Sequence, residues 1–396
     1  MPSGVTVRQA DPGDEVAGVR PRWVALPETT EEVAAVLKAA AADDLAVVPV
    51  GGGSKLHWGP PPERCDVLLD TCCLNRVVEH ASGDLVAKAQ AGVTMDALAD
   101  VLAARGQELA LDVPVAGATV GGTLATATAG PRAFRYGTAR DLLIGITVVL
   151  ADGTVAHSGG KVVKNVAGYD LGKLFTGSYG TLGVIAEATF RLHPVAAERR
   201  WVRFPAPRAG QGADLLRSLA AAQAEPAAIE VDRAGDEAAA ELAVLVEGTA
   251  AEPRARAVAA LVDGATSGGT AVVEDRAPSW WGALPDDEVL LEVRFPASRA
   301  DEVLSATLGL GATARGSLAS GALWLGGGER LAAAVAALRE RLGTCGGRVT
   351  VLAAPPYQGQ DLDRWGEISA LPLMRRVKER FDPGRRMSPG RFVGGI

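Results

Sequence analysis

At 396 residues, 48% of them apolar, the chain is long enough for two or more domains with substantial cores, and wholesale disorder is excluded. A net charge of −7 argues against nucleic acid or an anionic membrane surface as the main partner. The sequence shows no charged-then-apolar leader and no apolar run of membrane-spanning length, so a cytoplasmic protein without direct membrane insertion is the expectation.

In chain order, Thr29 followed by Glu32 reads as a capping box, and Val33, Val36, Leu37, Ala40 and Ala41 recur at helical spacing up to Asp43. "LAVVPV" (45–50) is a short buried strand running into Gly51, Gly52 and Gly53. "RVVEH" and "DLVAKAQA" flank "ASG" as a hairpin, and Thr94 caps a second amphipathic helix carrying Met95, Leu98 and Leu102. From Leu111 to Gly130 the chain is small and glycine-rich, and we expect it to be poor in helix. "LLIGITVVLADGTVAHSGG" predicts a hairpin turned at Asp152-Gly153, and "GVIAEATFRLHP" a strand stopped by Pro194.

These elements suit one α+β domain over 20–195. "PAPRAGQGA" (205–213) is a plausible boundary. Alanine-rich helices alternating with strands such as "VLLEVRF" and "RVTVLAA" then suit a second α+β domain over 200–353, followed by a C-terminal segment over 354–396.

Cys65, Cys72, Cys73 and Cys345 form no Cys-x-x-Cys pair, so neither a zinc ribbon nor an iron–sulfur cluster is expected, and no metal site is assigned. The histidines are His57, His80, His157 and His193; none follows His193.

The run "VVPVGGGSKLHWGPPPERC" raises the first functional question. Consecutive glycines serve where a ligand approaches bare backbone or where φ is positive, and successive N–H groups make an anion-binding concavity. A Rossmann turn and a P-loop both open a helix, which Pro60, Pro61 and Pro62 forbid here. The N–H groups must therefore come from the loop itself. A plain turn is the alternative for an isolated triple glycine. The second run, "AGATVGGTLATATAG", adds Thr119, Thr126 and Thr128 hydroxyls, and the two runs together suit two sides of a long ligand with a diphosphate in its middle. A tightly packed strand–helix junction is the alternative for the second run.

"PVGGGS", "GATVGGTLATATAG", "YGTARDLLIGITVVLADG", "KNVAGYDLGKLFTGSYGTLGVIAEATF" and "RFDPGRRMSPGRF" resemble the FAD-linked oxidases of the vanillyl-alcohol-oxidase/p-cresol-methylhydroxylase superfamily, the nearest likeness being the FAD-binding E subunit of bacterial glycolate oxidase. The resemblance is strong over 23–194, moderate over 374–392 and loose between. It implies an α+β fold: a two-subdomain FAD-binding domain of the p-cresol-methylhydroxylase type, a smaller α+β cap domain, and a C-terminal segment returning to the flavin. It further implies that Val50, Gly51, Gly52, Gly53, Ser54 and Lys55 wrap the FAD pyrophosphate through backbone N–H groups. Pro114, Gly117, Ala118, Thr119, Gly121, Gly122, Thr126 and Gly130 would line the opposite side, and Gly183, Val184 and Ile185 the adenosine half. Tyr136 and Gly168-Tyr169 are weaker candidates, and Ser388 would cover the flavin.

Some relatives tether the flavin through a histidine just after the glycines. Ser54 stands at that place here, so the expected cofactor is non-covalent FAD, with His57 a loop histidine. Lys161, Lys164, Arg132, Arg135 and Arg140 are either counter-charges for the diphosphate or carboxylate, or solvated surface groups. Asp141 and Asp170 read as turn or cap residues.

Oxidising a 2-hydroxy acid wants a general base near neutrality and a cationic grip on the carboxylate. Catalytic 2-hydroxy-acid dehydrogenases of the superfamily carry a His-x-His…Gly-Asp-Gly-Asn motif in the second domain, and this chain has no such stretch. Tyr357 as a base and Arg294 as a clamp are conceivable; a loop aromatic and a strand arginine beside Glu292 are the plainer readings. Trp280, Trp281 and Trp324 floor a pocket, face a partner or pack a core. No catalytic residue is assigned.

The reading that follows is the E-type subunit of a glycolate (2-hydroxy acid) oxidase complex. By the resemblance its partners are a catalytic flavoprotein subunit and an iron–sulfur subunit, through which any membrane association would run. The alternatives are a free-standing FAD enzyme acting on a small alcohol or 2-hydroxy acid with a non-histidine base, and a non-redox protein that keeps the fold for assembly.

Overall fold

The computed structural model describes residues 4–160, 170–206, 212–236, 239–265, 271–355 and 362–396. They divide into two units, one made of Met1–Ala129, Thr138–Val195 and Glu367–Ile396, the other of Gly130–Gly137 and Ala196–Gly366. Lys161, Lys164, Gly168, Tyr169 and Tyr357 lie outside the described residues.

Among the described residues the first unit holds two larger sheets and a two-stranded one, Gln107–Glu108 against His193–Pro194. Its four-stranded sheet runs in the order Thr6–Gln9, Trp23–Leu26, Val67–Asp70, Val47–Val50. The last two strands are parallel, as are Trp23–Leu26 and Val67–Asp70, while Thr6–Gln9 is antiparallel. Parallel strands need crossovers, and the helix Thr30–Ala42 supplies one. Thr29 Oγ1 caps it by accepting from the Glu32 amide at 3.1 Å. Glu32 itself reaches back to the Glu28 amide rather than to Thr29, so the box closes one residue earlier than its sequence pattern implies. Val33, Val36, Leu37 and Ala40 are buried with Val47, Val67 and Leu69 on one face of the sheet; Val48, Leu68 and Val50 pack with Val16 and Val24 on the other. Burial on both faces is why "VVPV" reads as a continuous apolar run.

The second sheet is antiparallel throughout, in the order Val77–Ala81, Val86–Gln90, Gly183–Arg191, Leu143–Leu150, Val155–Gly159. Both expected hairpins are present, and Gly153 takes a positive φ of 80° at the Asp152-Gly153 turn. Val149, Ala151, Val184 and Ala186 join the core around helix Thr30–Ala42, so the helix faces both sheets.

The stretch expected to be poor in helix forms one over Val120–Ala125. Thr119 caps it, and Gly121 lets it close on Ala91, where a Cβ would come within 2.8 Å of the alanine side chain.

The strand Val47–Val50 gains a second neighbour from the far end of the chain. Val47 donates to the Arg386 carbonyl at 2.8 Å, and its own carbonyl accepts from the Ser388 amide at 2.9 Å. Met387 between them is fully buried. The helix Leu371–Phe381 precedes this segment. Lys378, on its buried face, donates to Asp382 Oδ2 and to the carbonyls of Thr181 and Met387, all within 2.8 Å.

The second unit is built on an eight-stranded antiparallel sheet: Val272–Glu274, Arg199–Pro205, Glu241–Glu247, Ala228–Arg233, Thr313–Ser317, Ala322–Gly327, Val289–Arg294, Arg348–Ala353. Alternate residues such as Ile229, Val231, Val244, Leu291 and Val293 form its core with apolar side chains of the helices Gly212–Ala220, Ala251–Ala265, Ala300–Ala306 and Val335–Gly343. No helix of the described residues is long and apolar enough to cross a membrane.

Candidate cofactor site

A cleft of about 790 Å³, part of it open to solvent, lies within the first unit. Its walls come from three places: the glycine loop after Val47–Val50, the start of helix Val120–Ala125, and the turn Ser178–Gly180 with the strand that begins at Gly183.

The glycine loop is pressed against the segment 117–119. A Cβ on Gly51 would strike the Thr119 hydroxyl, and one on Gly52 would strike the Gly117 carbonyl. Gly53 turns with φ of 69°, a left-handed conformation that glycine adopts without cost. No helix follows; the chain turns through 51–59 and runs irregularly to the next strand at Val67, as the prolines require. Thr71 fixes the entry by donating through both its amide and its hydroxyl to the Val50 carbonyl, at 2.9 and 3.0 Å. Arg391, from the C-terminal segment, fixes the exit by donating to the carbonyls of Leu56, Trp58 and Pro60 at 3.0–3.2 Å.

The opposite wall is held as firmly. Val120 and Gly121 donate to the carbonyls of Val93 and Ala91, each at 2.8 Å, and Thr119 accepts from Gly122 at 3.2 Å. Thr126 Oγ1 returns to the Gly122 carbonyl at 2.8 Å. Tyr179 sits at a positive φ of 54° and donates its amide to Ala125 at 2.9 Å, with its ring stacked on Phe392.

Two residues of this lining each carry a buried polar atom with no hydrogen-bond partner among the described residues, Lys55 Nζ and Ser178 Oγ. Both side chains are buried, and burial alone pushes the Lys55 ammonium down to about 8. Buried polar atoms are normally satisfied, so two orphans in one cleft mark a place where a ligand supplies the missing acceptors.

Of the residues singled out in the sequence, Val50, Gly51, Gly52, Gly53, Ser54, Lys55, Thr119, Gly121, Gly122, Thr126, Gly183, Val184 and Ile185 line the cleft together. Gly117 and Ala118 stand behind the lining, where Gly117 presents its carbonyl to Gly52 and Ala118 is buried. Pro114 lies in the irregular stretch before them. Ser388 is buried behind the turn, near Gly180, and the contact from its segment to the lining is Arg391 instead. Gly130 and Tyr136 fall in the second unit, where the Tyr136 hydroxyl donates to Glu247 at 2.7 Å and its ionisation is pushed up to about 12 by burial and that carboxylate. Thr71, Ser178, Tyr179, Gly180 and Arg391, with Pro49, Leu56, Ala91 and Ala125, complete the lining and were not picked out as site residues.

Arg135 bonds the Glu225 carbonyl in the second unit and Arg140 is exposed in the first. Arg294 pairs with Glu292 on its own strand at 2.6 Å, the plainer of its two readings. Trp280 donates to Glu241 and Trp281 packs edge-on against Trp201, while Trp324 is buried on its strand.

The fold and the cleft together define a protein shaped to hold an elongated anionic ligand against bare backbone. Residues 21–159 match the FAD binding domain family. The chain is 39% identical over 177 residues to the mitochondrial D-lactate dehydrogenase [cytochrome] 1 of Saccharomyces cerevisiae, covering 44% of this chain and 30% of that protein. It is 32% identical over 211 residues to the glycolate oxidase subunit GlcD of Bacillus subtilis, covering 53% and 45%. The chain thus spans less than half the length of these relatives. Among solved structures, p-cresol methylhydroxylase with substrate bound superposes with a TM-score of 0.73 at 16% identity, over 94% of this chain and 88% of that one. Residues 21–159 thus carry the likeness of an FAD binding domain, on a fold shared with p-cresol methylhydroxylase, and the cofactor is FAD.

The residues present fit that cofactor. Gly51 and Gly52 have no room for a Cβ, so the loop there is bare backbone of the kind that would hold a diphosphate, and the orphaned Lys55 and Ser178 would be donors to it.

Proposed function

We propose that this chain is the FAD-binding subunit of a 2-hydroxy-acid oxidoreductase of the glycolate oxidase type, acting beside a catalytic flavoprotein subunit and an iron–sulfur subunit. The observation that carries the reading is a cofactor cleft completed within one unit by a sequence that has no histidine after His193 to serve as base in the other. Likeness over 44% of the chain to D-lactate dehydrogenase and over 53% to a glycolate oxidase subunit supports the substrate class.

Bound FAD supplies a two-electron hydride acceptor. The chain's own residues bind and orient it. Gly51 to Gly53 present amides to the diphosphate. Thr119, Gly121, Gly122 and Thr126 line the facing wall, and Gly183 to Ile185 run along the strand beside it. Thr71 and Arg391 hold the two ends of the glycine loop so that its amides converge before the ligand arrives, which lowers the ordering cost of binding. Ser54, at the place where some relatives carry a tethering histidine, leaves the cofactor non-covalent.

The test is anaerobic titration of the purified chain with glycolate and lactate, alone and with the catalytic and iron–sulfur subunits added. We expect yellow protein that releases its flavin on denaturation, keeps it oxidised when alone with substrate, and is reduced only when the partners are present. Reduction of the flavin by substrate with the lone chain would overturn the accessory role in favour of a free-standing 2-hydroxy-acid oxidoreductase. A colourless chain that takes up no FAD would overturn both.

A further inference from the structure

We propose that the Lys55 side chain is the counter-charge for the cofactor's diphosphate, so that FAD capture by this protein is coupled to a proton. The proposal rests on the reading that this cleft holds FAD and goes beyond it, because the glycine loop alone offers only backbone dipoles.

Lys55 is 8% exposed, its buried Nζ has no hydrogen-bond partner among the described residues, and the residue lines the cleft two positions after Gly53. A lysine rarely lies so deep unless paired, and isolating the charge there is costly. Its Nζ lies 6.0 Å from the centroid of the Trp58 ring, a weak cation–π distance that leaves the ammonium's three donors unused.

The other charged side chain of the lining, Arg391, spends its guanidinium on the carbonyls of Leu56, Trp58 and Pro60. His57, on the same loop, is exposed. The facing elements present neutral groups: Thr71 after strand Val67–Asp70, Thr119 and Thr126 at the ends of the short helix, Ser178 and Tyr179 on the turn before Gly183. Among the described residues no carboxylate lines the cleft, and burial is the sole cause of the depressed lysine. A diphosphate placed against the glycine amides would be the first anion this ammonium meets.

The linkage follows in sign. Without ligand the lysine gives up its proton at about 8. A neighbouring dianion favours the charged form and raises that value, so above pH 8 binding takes up a proton. FAD affinity should therefore fall as pH rises from about 8, by at most about tenfold per pH unit for one proton.

The experiment measures the dissociation constants of FAD, ADP and riboflavin for apoprotein between pH 6.5 and roughly pH 10, in wild type, Lys55→Met and Lys55→Gln. Methionine keeps the apolar stem, and the neutral amide is the second variant should the first misfold. At neutral pH both variants should bind FAD and ADP roughly 10- to 100-fold more weakly, the range for losing a hydrogen bond to a charged group. Riboflavin, which has no phosphate, should bind all three proteins alike, and the alkaline fall in FAD affinity should vanish in the variants. An unchanged pH profile in both variants, or an equal loss for riboflavin and FAD, overturns the role of the lysine while leaving the cleft as the FAD site. Wild type that binds no FAD at any pH overturns the cleft's assignment and the lysine's role with it.

Discussion

Lys55 also carries a consequence for the protein before any cofactor arrives. Its value in the folded chain lies below the ordinary 10.5, so burial opposes folding while the group must be charged, and that opposition is relieved as pH rises from about 8 to 10.5. Thermal unfolding of the apoprotein should show the wild type gaining on Lys55→Met across this window, with the variant the more stable of the two at neutral pH. A variant less stable than wild type at neutral pH would contradict the unpaired state. Gly52 makes a complementary case, since its missing side chain is what admits the Gly117 carbonyl. Gly52→Ala forces the two walls apart. Overpacking of this kind costs about 1–3 kcal/mol, so FAD affinity should drop roughly 5- to 150-fold while far-ultraviolet circular dichroism stays native. The glycine loop and the strand at Gly183 were legible because bare backbone has few other uses beside prolines that forbid a helix. Ser178 and Arg391 were not, because a lone hydroxyl and a lone arginine look like surface groups until the fold buries them.

The C-terminal helix Leu371–Phe381 and the segment after it act on the cleft through the strand they extend. Lys378 and Asp382 are both buried and paired at 2.8 Å, and Asp382 Oδ2 also accepts from the Met387 amide at 2.8 Å. Removing one partner leaves a buried charge unpaired, which costs about 3–5 kcal/mol. Lys378→Met should therefore expose the peptide bonds near Arg385 and Arg386 to trypsin and release FAD in step, as judged by limited proteolysis and flavin fluorescence. If proteolysis quickens while flavin stays bound, the segment is a cover rather than a support. Neither this pairing nor the helix Val120–Ala125 could be read from local pattern. Two glycines and three threonines among "TVGGTLAT" give a poor intrinsic helix, and it forms because Thr119 caps it and Gly121 admits Ala91. The partner of Val47 lies at the other end of the sequence, beyond the reach of any periodicity. By contrast, helix Thr30–Ala42 and both hairpins announced themselves through caps, turn residues and alternation.

At the level of the chain, residues 130–137 leave the first unit and are built into the second. Glu247, almost wholly buried, receives the Tyr136 hydroxyl at 2.7 Å and Arg199 Nε at 2.9 Å, with Arg132 at 3.8 Å. Tyr136→Phe should lower the stability of the second unit by about 1 kcal/mol, while Glu247→Gln should cost about 3 kcal/mol by leaving two arginines short of a carboxylate. Denaturant unfolding of the double variant should fall short of the sum of the single losses, since both act on one cluster. Full additivity would show that the tyrosine contact contributes nothing. The α+β class and the presence of a second unit were legible from the alternation of strands with alanine-rich helices. The interleaving of the units was not, because "GPRAFRYG" carries no composition change at either end.

The hydrogen bonds that Val47 donates to Arg386 and accepts from Ser388 set an order on how the protein is made. A nascent chain emerging from the ribosome can form the helix Thr30–Ala42 and its neighbouring strands early, yet the border beside the future flavin loop stays open until the stretch around Met387 has been translated. A product truncated before that stretch would therefore present an unsealed β-edge along Val47, the kind of edge that invites pairing with another chain.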